Sequence, residues 1–193
     1  MAKGNIEIEV KFPLNNPEDT LAVLARVAEY LYESRQVDEY FNAPHRDFFG
    51  RETVDDWLRI RTEANGKASF NYKHWYQTLE SSSHCDEFET GVESADAVRK
   101  ILGALQFEPV IKVDKLRRAF KYGDIEIAVD DVKDLGFYIE AEYCGDGDIS
   151  DKEKIKDELA AALHEIGADL GEVDTRGYPY YLLERSGFIK KKD

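Results

Sequence analysis

Charged side chains recur at every second position in several short segments of this 193-residue sequence. Residues two apart on a β-strand point to the same face, so each segment would present its charges together. Lys and Arg side chains hold phosphate oxygens, and carboxylates hold Mg²⁺ or Mn²⁺ through oxygen ligands. The pattern therefore points to a ligand that is both anionic and metal-bound. The set holds seven carboxylates and six cations: Glu7, Glu9, Lys11, Arg59, Arg61, Lys73, Glu87, Glu89, Lys115, Arg117, Asp130, Glu140 and Glu142.

The same charges also fit an ordinary half-exposed sheet whose solvent side carries both signs. Against this interpretation, the charged faces contain few Thr, Ser or Gln residues, and several strands carry paired acids or paired bases. If the sheet closes, the charged face becomes a lumen and helices cover the apolar face. Nothing in the set resembles a nucleophile, and phosphoryl chemistry needs none when a metal activates the attacking group.

Alternating apolar residues predict about eight strands that would position these charges. Helical periodicity appears at 17–34, 95–105 and 151–166, with Ser94 as an N-cap and a short terminal helix around Tyr181. Few helices separate the strands, which favours an antiparallel sheet or barrel in an α+β protein. The predicted strands lie around residues 6–12, 37–42, 58–61, 70–73, 87–89, 113–120, 125–130 and 139–142.

Composition and charge limit the class of protein. A hydrophobic fraction of 42% in 193 residues, without a linker or repeat, predicts one domain over residues 1–193. No apolar run approaches the roughly 18–20 residues of a membrane span, and the first residues lack a secretion signal. Cys85 and Cys144 form no disulfide framework or metal motif, so we expect a cytoplasmic protein. The net charge of −14 argues against a nucleic-acid partner but permits a small anionic ligand.

The residues Glu7-Ile8-Glu9-Val10-Lys11 match the ExExK signature of the CYTH superfamily, the triphosphate tunnel metalloenzymes. The resemblance covers roughly residues 5 to 185, and within the superfamily the chain most resembles the class IV adenylate cyclase-like branch. The matching segments follow in order: Asp38-Glu39-Tyr40-Phe41-Asn42, Leu58-Arg59-Ile60-Arg61, Tyr72-Lys73, Glu87-Phe88-Glu89, Lys115-Leu116-Arg117, Ile127-Ala128-Val129-Asp130, Leu135-Gly136 and Glu140-Ala141-Glu142.

This resemblance implies a closed eight-stranded antiparallel β tunnel barrel with helices packed outside, and a Mg²⁺ or Mn²⁺ cofactor. By motif position, Glu7, Glu9 and Lys11 would be catalytic. The resemblance implies as metal ligands Glu7, Glu9, Glu140 and Glu142, with Glu87, Glu89 and Asp130 as further candidates. It implies as phosphate-binding residues Lys11, Arg59, Arg61, Lys73, Lys115 and Arg117, with Arg176 capping the tunnel.

Some positions depart from the superfamily pattern and leave the substrate open. Lys73 is followed by His74-Trp75-Tyr76, where many relatives have Lys-Gly, and Asp134 and Phe137 replace the Gly and Asp that often flank Leu-Gly. Trp57 or Trp75 could stack on an adenine or thiazolium ring, although both also fit simple packing.

The leading functional hypothesis is a metal-dependent enzyme that hydrolyses the terminal phosphoryl group of tripolyphosphate, ATP or thiamine triphosphate. The alternative is a class IV adenylate cyclase that converts ATP to cyclic AMP and pyrophosphate. A non-catalytic sensor of nucleotide or polyphosphate is a further alternative, although seven carboxylates would serve a pure anion binder poorly. We expect a small-molecule partner, neither nucleic acid nor membrane, and leave a homodimer open.

Overall fold

The computed structural model describes residues 8–50, 54–77, 82–145 and 151–189, and the chain divides into two compact units. Among the described residues, the first unit comprises Arg35–Asp114 and the segment that begins at Tyr178. The second comprises residues 8–34 and Lys115–Gly177. The prediction of a single domain stays a prediction.

The strands form an eight-stranded antiparallel sheet, which confirms the predicted α+β class. Their order is β1-β8-β7-β6-β2-β3-β4-β5, and β2 and β6 each contribute residues to both units. Closure of the sheet into a tunnel barrel stays a prediction. The strands are β1 Glu9–Pro13, β2 Glu29–Asn42, β3 Asp56–Glu63, β4 Ala68–Gln77, β5 Ser82–Gly91, β6 Glu108–Tyr122, β7 Ile125–Val132 and β8 Gly136–Tyr143.

Four helices accompany the strands in the described part of the chain, and each lies in a segment where the sequence predicts one. Ser94 accepts a hydrogen bond from the Ala97 backbone N–H at the start of α2, as the N-cap prediction requires. Within the described ranges, no helix is both long enough and apolar enough to cross a bilayer. The helices are α1 Pro17–Val27, α2 Ala95–Ala104, α3 Lys152–Glu165 and α4 Tyr178–Ser186.

The predicted helix over residues 17–34 is wrong beyond Val27. Ala28 has extended backbone angles (φ −125°, ψ 156°), and the chain continues directly into strand β2 from Glu29. The residues Tyr30-Leu31-Tyr32 are good strand formers, and Leu31 is 38% exposed, so it belongs to no buried helical stripe. Pairing within the sheet outweighs the weak helical periodicity of this segment.

The second unit has an apolar core between its strands and α3. Val10 on β1, Ile139 on β8 and Ile127 on β7 are all at most 8% exposed. Each side chain of this size contributes about 1.5–3 kcal/mol when fully buried. Because one face of these strands is committed to the core, alternate residues must point to the opposite face. The α3 residues in the core are Ile155, Leu159, Leu163 and, just beyond the helix, Ile166.

The first unit has its own buried apolar side chains. Ile60 is fully buried on β3, and Phe41 and Leu58 are buried on the paired strands β2 and β3. Helix α2 packs against β3 and contributes the buried Leu102. Residues that alternate with Leu58 and Ile60 therefore point away from this apolar layer.

Candidate active site

The cross-strand register of the second unit brings the predicted charged residues onto one face. Glu9 lies directly opposite Glu142, and Lys11 lies opposite Glu140, across the β1–β8 pair. Across the β6–β7 pair, Arg117 lies opposite Asp130. Directly opposed residues of an antiparallel pair share a face, and this face alternates with the core residues. We call it the second-unit charged face; it comprises Glu9, Lys11, Lys115, Arg117, Glu126, Asp130, Glu140 and Glu142.

Ion pairs connect most of this face into a chain of alternating charge. Lys11 Nζ lies 2.9 Å from Glu140 Oε2 and 3.7 Å from Glu9 Oε1. Arg117 Nη2 donates to Glu140 Oε2 at 3.1 Å. Arg117 also donates to both Asp130 oxygens, from Nε at 2.8 Å and Nη2 at 2.7 Å. The resulting network of ion pairs extends across four strands. Each of its side chains must be charged, because each ion pair requires both charges.

Lys115 is the most deeply buried cation of this network and pairs with Asp130. Its Nζ donates to Asp130 Oδ2 at 2.9 Å, and the two side chains are 3% and 0% exposed. Buried charges need partners of opposite sign, since desolvation costs several kcal/mol per ion. Asp130 therefore balances two cations that would otherwise be buried without a counter-charge.

Electrostatics keeps these groups ionised at neutral pH. Burial raises the pKa of the Asp130 carboxyl, but Lys115 and Arg117 lower it more, to about 2. Burial likewise raises the pKa of Glu140, and attraction to Arg117 and Lys11 brings it well below its ordinary value. For Lys11, burial lowers the pKa, and attraction to Glu140 and Glu9 more than reverses that change.

The first unit carries a similar face. Across the β2–β3 pair, Asp38 lies opposite Arg61, and across the β4–β5 pair Lys73 lies opposite Glu87. Arg59 lies opposite Asn71, which is itself opposite Glu89. We call this set the first-unit charged face: Asp38, Arg59, Arg61, Asn71, Lys73, Glu87 and Glu89. Every charged position predicted on β3, β4 and β5 lies on it.

Asp38 is a member that the sequence reasoning missed. It accepts from Arg61 Nε at 2.6 Å and from Arg61 Nη2 at 2.7 Å, and from Arg59 Nη1 at 3.3 Å. Its side chain is 3% exposed. Alternation along β2 with the apolar Val37 could have placed Asp38 on the charged face, but only the register shows that it lies opposite Arg61.

Arg59 has a donor available for a ligand. Its Nε is buried and has no hydrogen-bond partner in the described part of the chain. Burial lowers the pKa of the Arg59 guanidinium, but Asp38 and Tyr40 raise it more, so the group stays cationic. A buried, charged N–H without an acceptor is energetically unfavourable. An anionic oxygen placed beside Nε would satisfy it.

The part of the first-unit charged face on β4 and β5 contains Lys73, Glu87 and Glu89. Lys73 Nζ lies 3.0 Å from Glu87 Oε2, and the Asn71 amide also donates to Glu87. The Ser69 hydroxyl donates to Glu89 at 2.6 Å. These contacts orient both carboxylates and the Lys73 ammonium along strands β4 and β5.

The oxygen donors of the second-unit charged face suit a hard divalent cation. Glu9 and Glu142 are direct cross-strand neighbours, and like charges directly opposite each other destabilise a sheet. Lys11 offsets part of this repulsion, with its Nζ 3.7 Å from Glu9 Oε1, and a divalent cation held by these carboxylates would offset more of it. Among the described residues, no three His, Cys, Asp or Glu side chains gather closely enough to hold a metal ion. Glu7, the remaining acid of the ExExK motif, lies outside the described residues.

Arg176 lies in the second unit, in an exposed turn between Asp174 and α4. Its backbone N–H donates to Asp174 Oδ1 at 2.9 Å. Its predicted capping role stays a prediction.

We expect Asp38→Asn to lower the free energy of unfolding by about 1–2 kcal/mol, because two arginines lose their shared counter-charge. The two guanidiniums keep some solvent contact, at 15% and 17% exposure, which limits the loss. Urea unfolding would measure it. Asp96→Asn is the matched control, since it removes an Arg99 partner that is 82% exposed, and it should change stability little. Equal losses from both variants would contradict a special role for Asp38.

Comparison with known proteins gives the family. The model of the CYTH domain matches residues 5–178. The chain belongs to the CYTH family. A Methanocaldococcus jannaschii protein named as a candidate adenylate cyclase is 31% identical over 174 residues, which cover 90% of this chain and 96% of that protein. The family prediction is therefore confirmed.

Solved structures resemble this CYTH chain along nearly its whole length. A Pyrococcus horikoshii OT3 structure has a TM-score of 0.79 at 26% identity and covers 93% of this chain and 99% of its own. A Hippeastrum structure has a TM-score of 0.62 at 19% identity, covering 94% of this chain and 95% of its own. That protein is described as a candidate adenylyl cyclase with a dominant triphosphatase activity.

Membership in the CYTH family supports an enzyme. The family also implies a divalent metal cofactor and fits a small-molecule substrate. The assignments of individual residues to metal, phosphate or catalysis stay predictions.

Proposed function

We propose that this CYTH enzyme is a divalent-metal-dependent triphosphatase that hydrolyses the terminal phosphoryl group of tripolyphosphate, ATP or thiamine triphosphate. The observation that carries the proposal is the buried Arg59 Nε, which lacks a partner in the described part of the chain. It lies on a face with Arg61 and Lys73, and three cations along adjacent strands suit consecutive phosphate groups.

The carboxylates of each face orient its cations before the substrate binds. Asp38 fixes the planes of Arg59 and Arg61, and Asp130 fixes Lys115 and Arg117. Groups held in place need little reorganisation when charge develops on the phosphoryl oxygens, which is how electrostatic catalysis gains most of its effect. The proposed phosphate-binding residues are Lys11, Arg59, Arg61, Lys73, Lys115 and Arg117, with Arg176 as a cap.

Glu9 and Glu142, with Glu7, are the proposed metal ligands, and Glu140, Glu87 and Glu89 are further candidates. When bound, the divalent metal neutralises phosphate charge and lowers the pKa of the attacking water. Asp130 fits the ligand role less well, because both of its oxygens already accept from Lys115 or Arg117. We therefore assign Asp130 to positioning cations.

Names of relatives favour a second candidate, a class IV adenylate cyclase. The Methanocaldococcus jannaschii protein is named as a candidate cyclase, whereas the Hippeastrum protein is described as chiefly a triphosphatase. Both reactions use the same cations, and they differ in which phosphorus meets the nucleophile. Hydrolysis requires only the triphosphate to be positioned, whereas cyclisation also requires the ribose 3′-hydroxyl to reach the α-phosphorus. We therefore place hydrolysis first and a non-catalytic sensor last.

A substrate panel tests the proposal. ATP, tripolyphosphate and thiamine triphosphate are each incubated with Mg²⁺ or Mn²⁺, and phosphate, pyrophosphate and cyclic AMP are measured separately. We expect phosphate without cyclic AMP, and no product in the presence of EDTA. Cyclic AMP with pyrophosphate would replace the proposal by the cyclase. Stabilisation against heat by tripolyphosphate and Mg²⁺ without any product would favour the sensor.

A further inference from the structure

Trp75 continues the first-unit charged face beyond its last cation. It lies two residues after Lys73 on β4, and the side chains on either side of it point to the opposite face. His74 Nδ1 lies 2.8 Å from Asp56 Oδ1, and the Tyr76 hydroxyl donates to Asp86 at 2.8 Å. The half-buried Trp75 indole therefore shares the face of Lys73.

Asp55 lies beside this tryptophan. The Trp75 backbone N–H donates to the Asp55 carbonyl at 2.8 Å, which fixes the two residues against each other. The Asp55 Oδ1 atom is buried and has no hydrogen-bond partner among the residues described. A buried carboxylate oxygen without a donor is unfavourable, and a ligand N–H would satisfy it. An aromatic side chain and an unsatisfied acceptor thus belong to directly neighbouring residues at one end of the row of cations.

Trp57, the other tryptophan, is less suited to hold a ligand ring. It is 8% exposed, and its ring packs edge-to-face on Tyr40 and Phe49 at centroid distances of 5.5 Å and 5.8 Å. These contacts fill its surroundings with the protein's own aromatic rings. Of the two tryptophans considered for stacking, Trp75 therefore has the better placement.

We propose that Trp75 and Asp55 recognise an amino-substituted heteroaromatic ring on the substrate, Trp75 by stacking and Asp55 by accepting from the exocyclic amino group. Adenine and the aminopyrimidine of thiamine both carry this group. The inference rests on the proposed function and extends it, because it makes the substrate a triphosphate with a ring rather than tripolyphosphate alone. It also determines where that ring lies relative to the phosphates.

The spacing along β4 is suitable for such a substrate. A strand rises about 3.3 Å per residue, so Trp75 lies roughly 7 Å beyond Lys73 and roughly 13 Å beyond Asn71. Arg59 lies opposite Asn71, so the phosphate cations and the ring site follow one another on a single face. A substrate with its phosphates at Arg59 and Lys73 would direct its other end towards Trp75.

The first test replaces the stacking residue. Trp75→Leu should raise the KM for ATP at least about tenfold relative to the KM for tripolyphosphate, since base–aromatic stacking contributes strongly to nucleotide affinity. Tyr76→Leu is the matched control, because Tyr76 is adjacent on β4, 41% exposed and directed to the opposite face. An unchanged ratio in Trp75→Leu, or the same change in Tyr76→Leu, would overturn the stacking role.

The second test addresses the amino group. The unmodified enzyme should prefer ATP to ITP, whose ring has an oxygen in place of the amino group. Asp55→Asn adds a donor for that oxygen and should reduce the ATP-to-ITP ratio of kcat/KM about tenfold, the effect of one polar contact to a ligand. Equal use of ATP and ITP by the unmodified enzyme would overturn the Asp55 assignment. The kcat/KM for thiamine triphosphate is measured alongside that for ATP. A higher value for ATP would identify the ring as adenine, and a higher value for thiamine triphosphate would identify it as the aminopyrimidine.

Failure of the proposed function would be distinguishable from failure of this inference. If no substrate is turned over, dissociation constants for ATP, ITP and tripolyphosphate with Mg²⁺, measured by calorimetry, replace KM in both tests. Loss of ATP preference in Trp75→Leu would then support ring recognition in a binding protein. Binding of ATP no tighter than tripolyphosphate would refute ring recognition whatever reaction the enzyme performs.

Discussion

Replacing Asp130 by Asn should lower the free energy of unfolding by roughly 3–5 kcal/mol, the usual cost of removing one partner from a buried ion pair. The Asp130 side chain is fully buried and accepts from Lys115 and from Arg117. Asn has nearly the same shape but no charge, so two buried cations lose their shared counter-charge. Urea unfolding at neutral pH measures the loss.

The stability difference between the enzyme and Asp130→Asn should depend on pH in a defined direction. The pKa of Asp130 is lowered from 3.8 to about 2 in the folded protein, so its charge stabilises the fold above its unfolded pKa. That stabilisation is lost as the pH falls from about 4 towards about 2, and the stability difference between the two proteins should shrink over this range. A difference that persists unchanged into acid would contradict an electrostatic origin.

Asp131→Asn provides the control for both measurements. Asp131 is the next residue of β7, it is exposed, and alternation places it on the opposite face from Asp130. The substitution removes the same charge from the same strand. We expect little change in stability, as is usual for surface substitutions. If Asp131→Asn lost as much stability as Asp130→Asn, the loss would come from changing a residue of strand β7 and not from the buried ion pairs, which would contradict the prediction.

Replacing Glu9 by Gln should lower kcat/KM for the best triphosphate at least about 100-fold, because even changes behind a metal ligand cost 10–100-fold. Glu9 lies directly opposite Glu142, and both are among the proposed ligands that would hold the divalent cation. A neutral amide is a weaker oxygen ligand for a hard cation. Activity measured across a range of Mn²⁺ and Mg²⁺ concentrations should show a higher metal requirement in the variant.

Glu126→Gln is the matched control for Glu9→Gln. Glu126 on β7 also lies directly opposite Glu142, so both substitutions remove one charge from the same row of the same face. Glu126 is outside the proposed ligand set, and its substitution should leave the metal requirement nearly unchanged. Equal effects of the two variants would indicate a general effect of negative charge and would contradict a ligand role for Glu9.

Period-two alternation was sufficient to predict which residues share a face. Glu140 and Glu142 alternate with the buried Ile139 and Ala141, and the same rule places Arg59 and Arg61 opposite the Leu58 and Ile60 side. The alternation depends only on local backbone geometry, which explains why it holds in each unit. Helices α2, α3 and α4 were also predictable, because their apolar stripes and caps are local signals.

Pairing partners could not be predicted from alternation. Lys11 meets Glu140, which is distant in sequence, only because β1 pairs with β8 in one particular register. The same is true of Asp38, whose quoted motif gave no sign that it would bind Arg61. Registers depend on hydrogen bonds between distant segments, so a shift by one residue would direct the same charges to the other face.

The sequence by itself determined the family, the α+β class and most of the charged residues of the two faces, although not Asp38. These follow from motif order and from the two-residue period of a strand. Only the tertiary structure decided that residues 29–34 form a strand and that Asp130 is fully buried between Lys115 and Arg117. It also decided that Arg59 Nε and Asp55 Oδ1 lack hydrogen-bond partners among the described residues. These properties depend on what surrounds each group in three dimensions, since burial and pairing set the energy of a charge far more than its neighbours in sequence do.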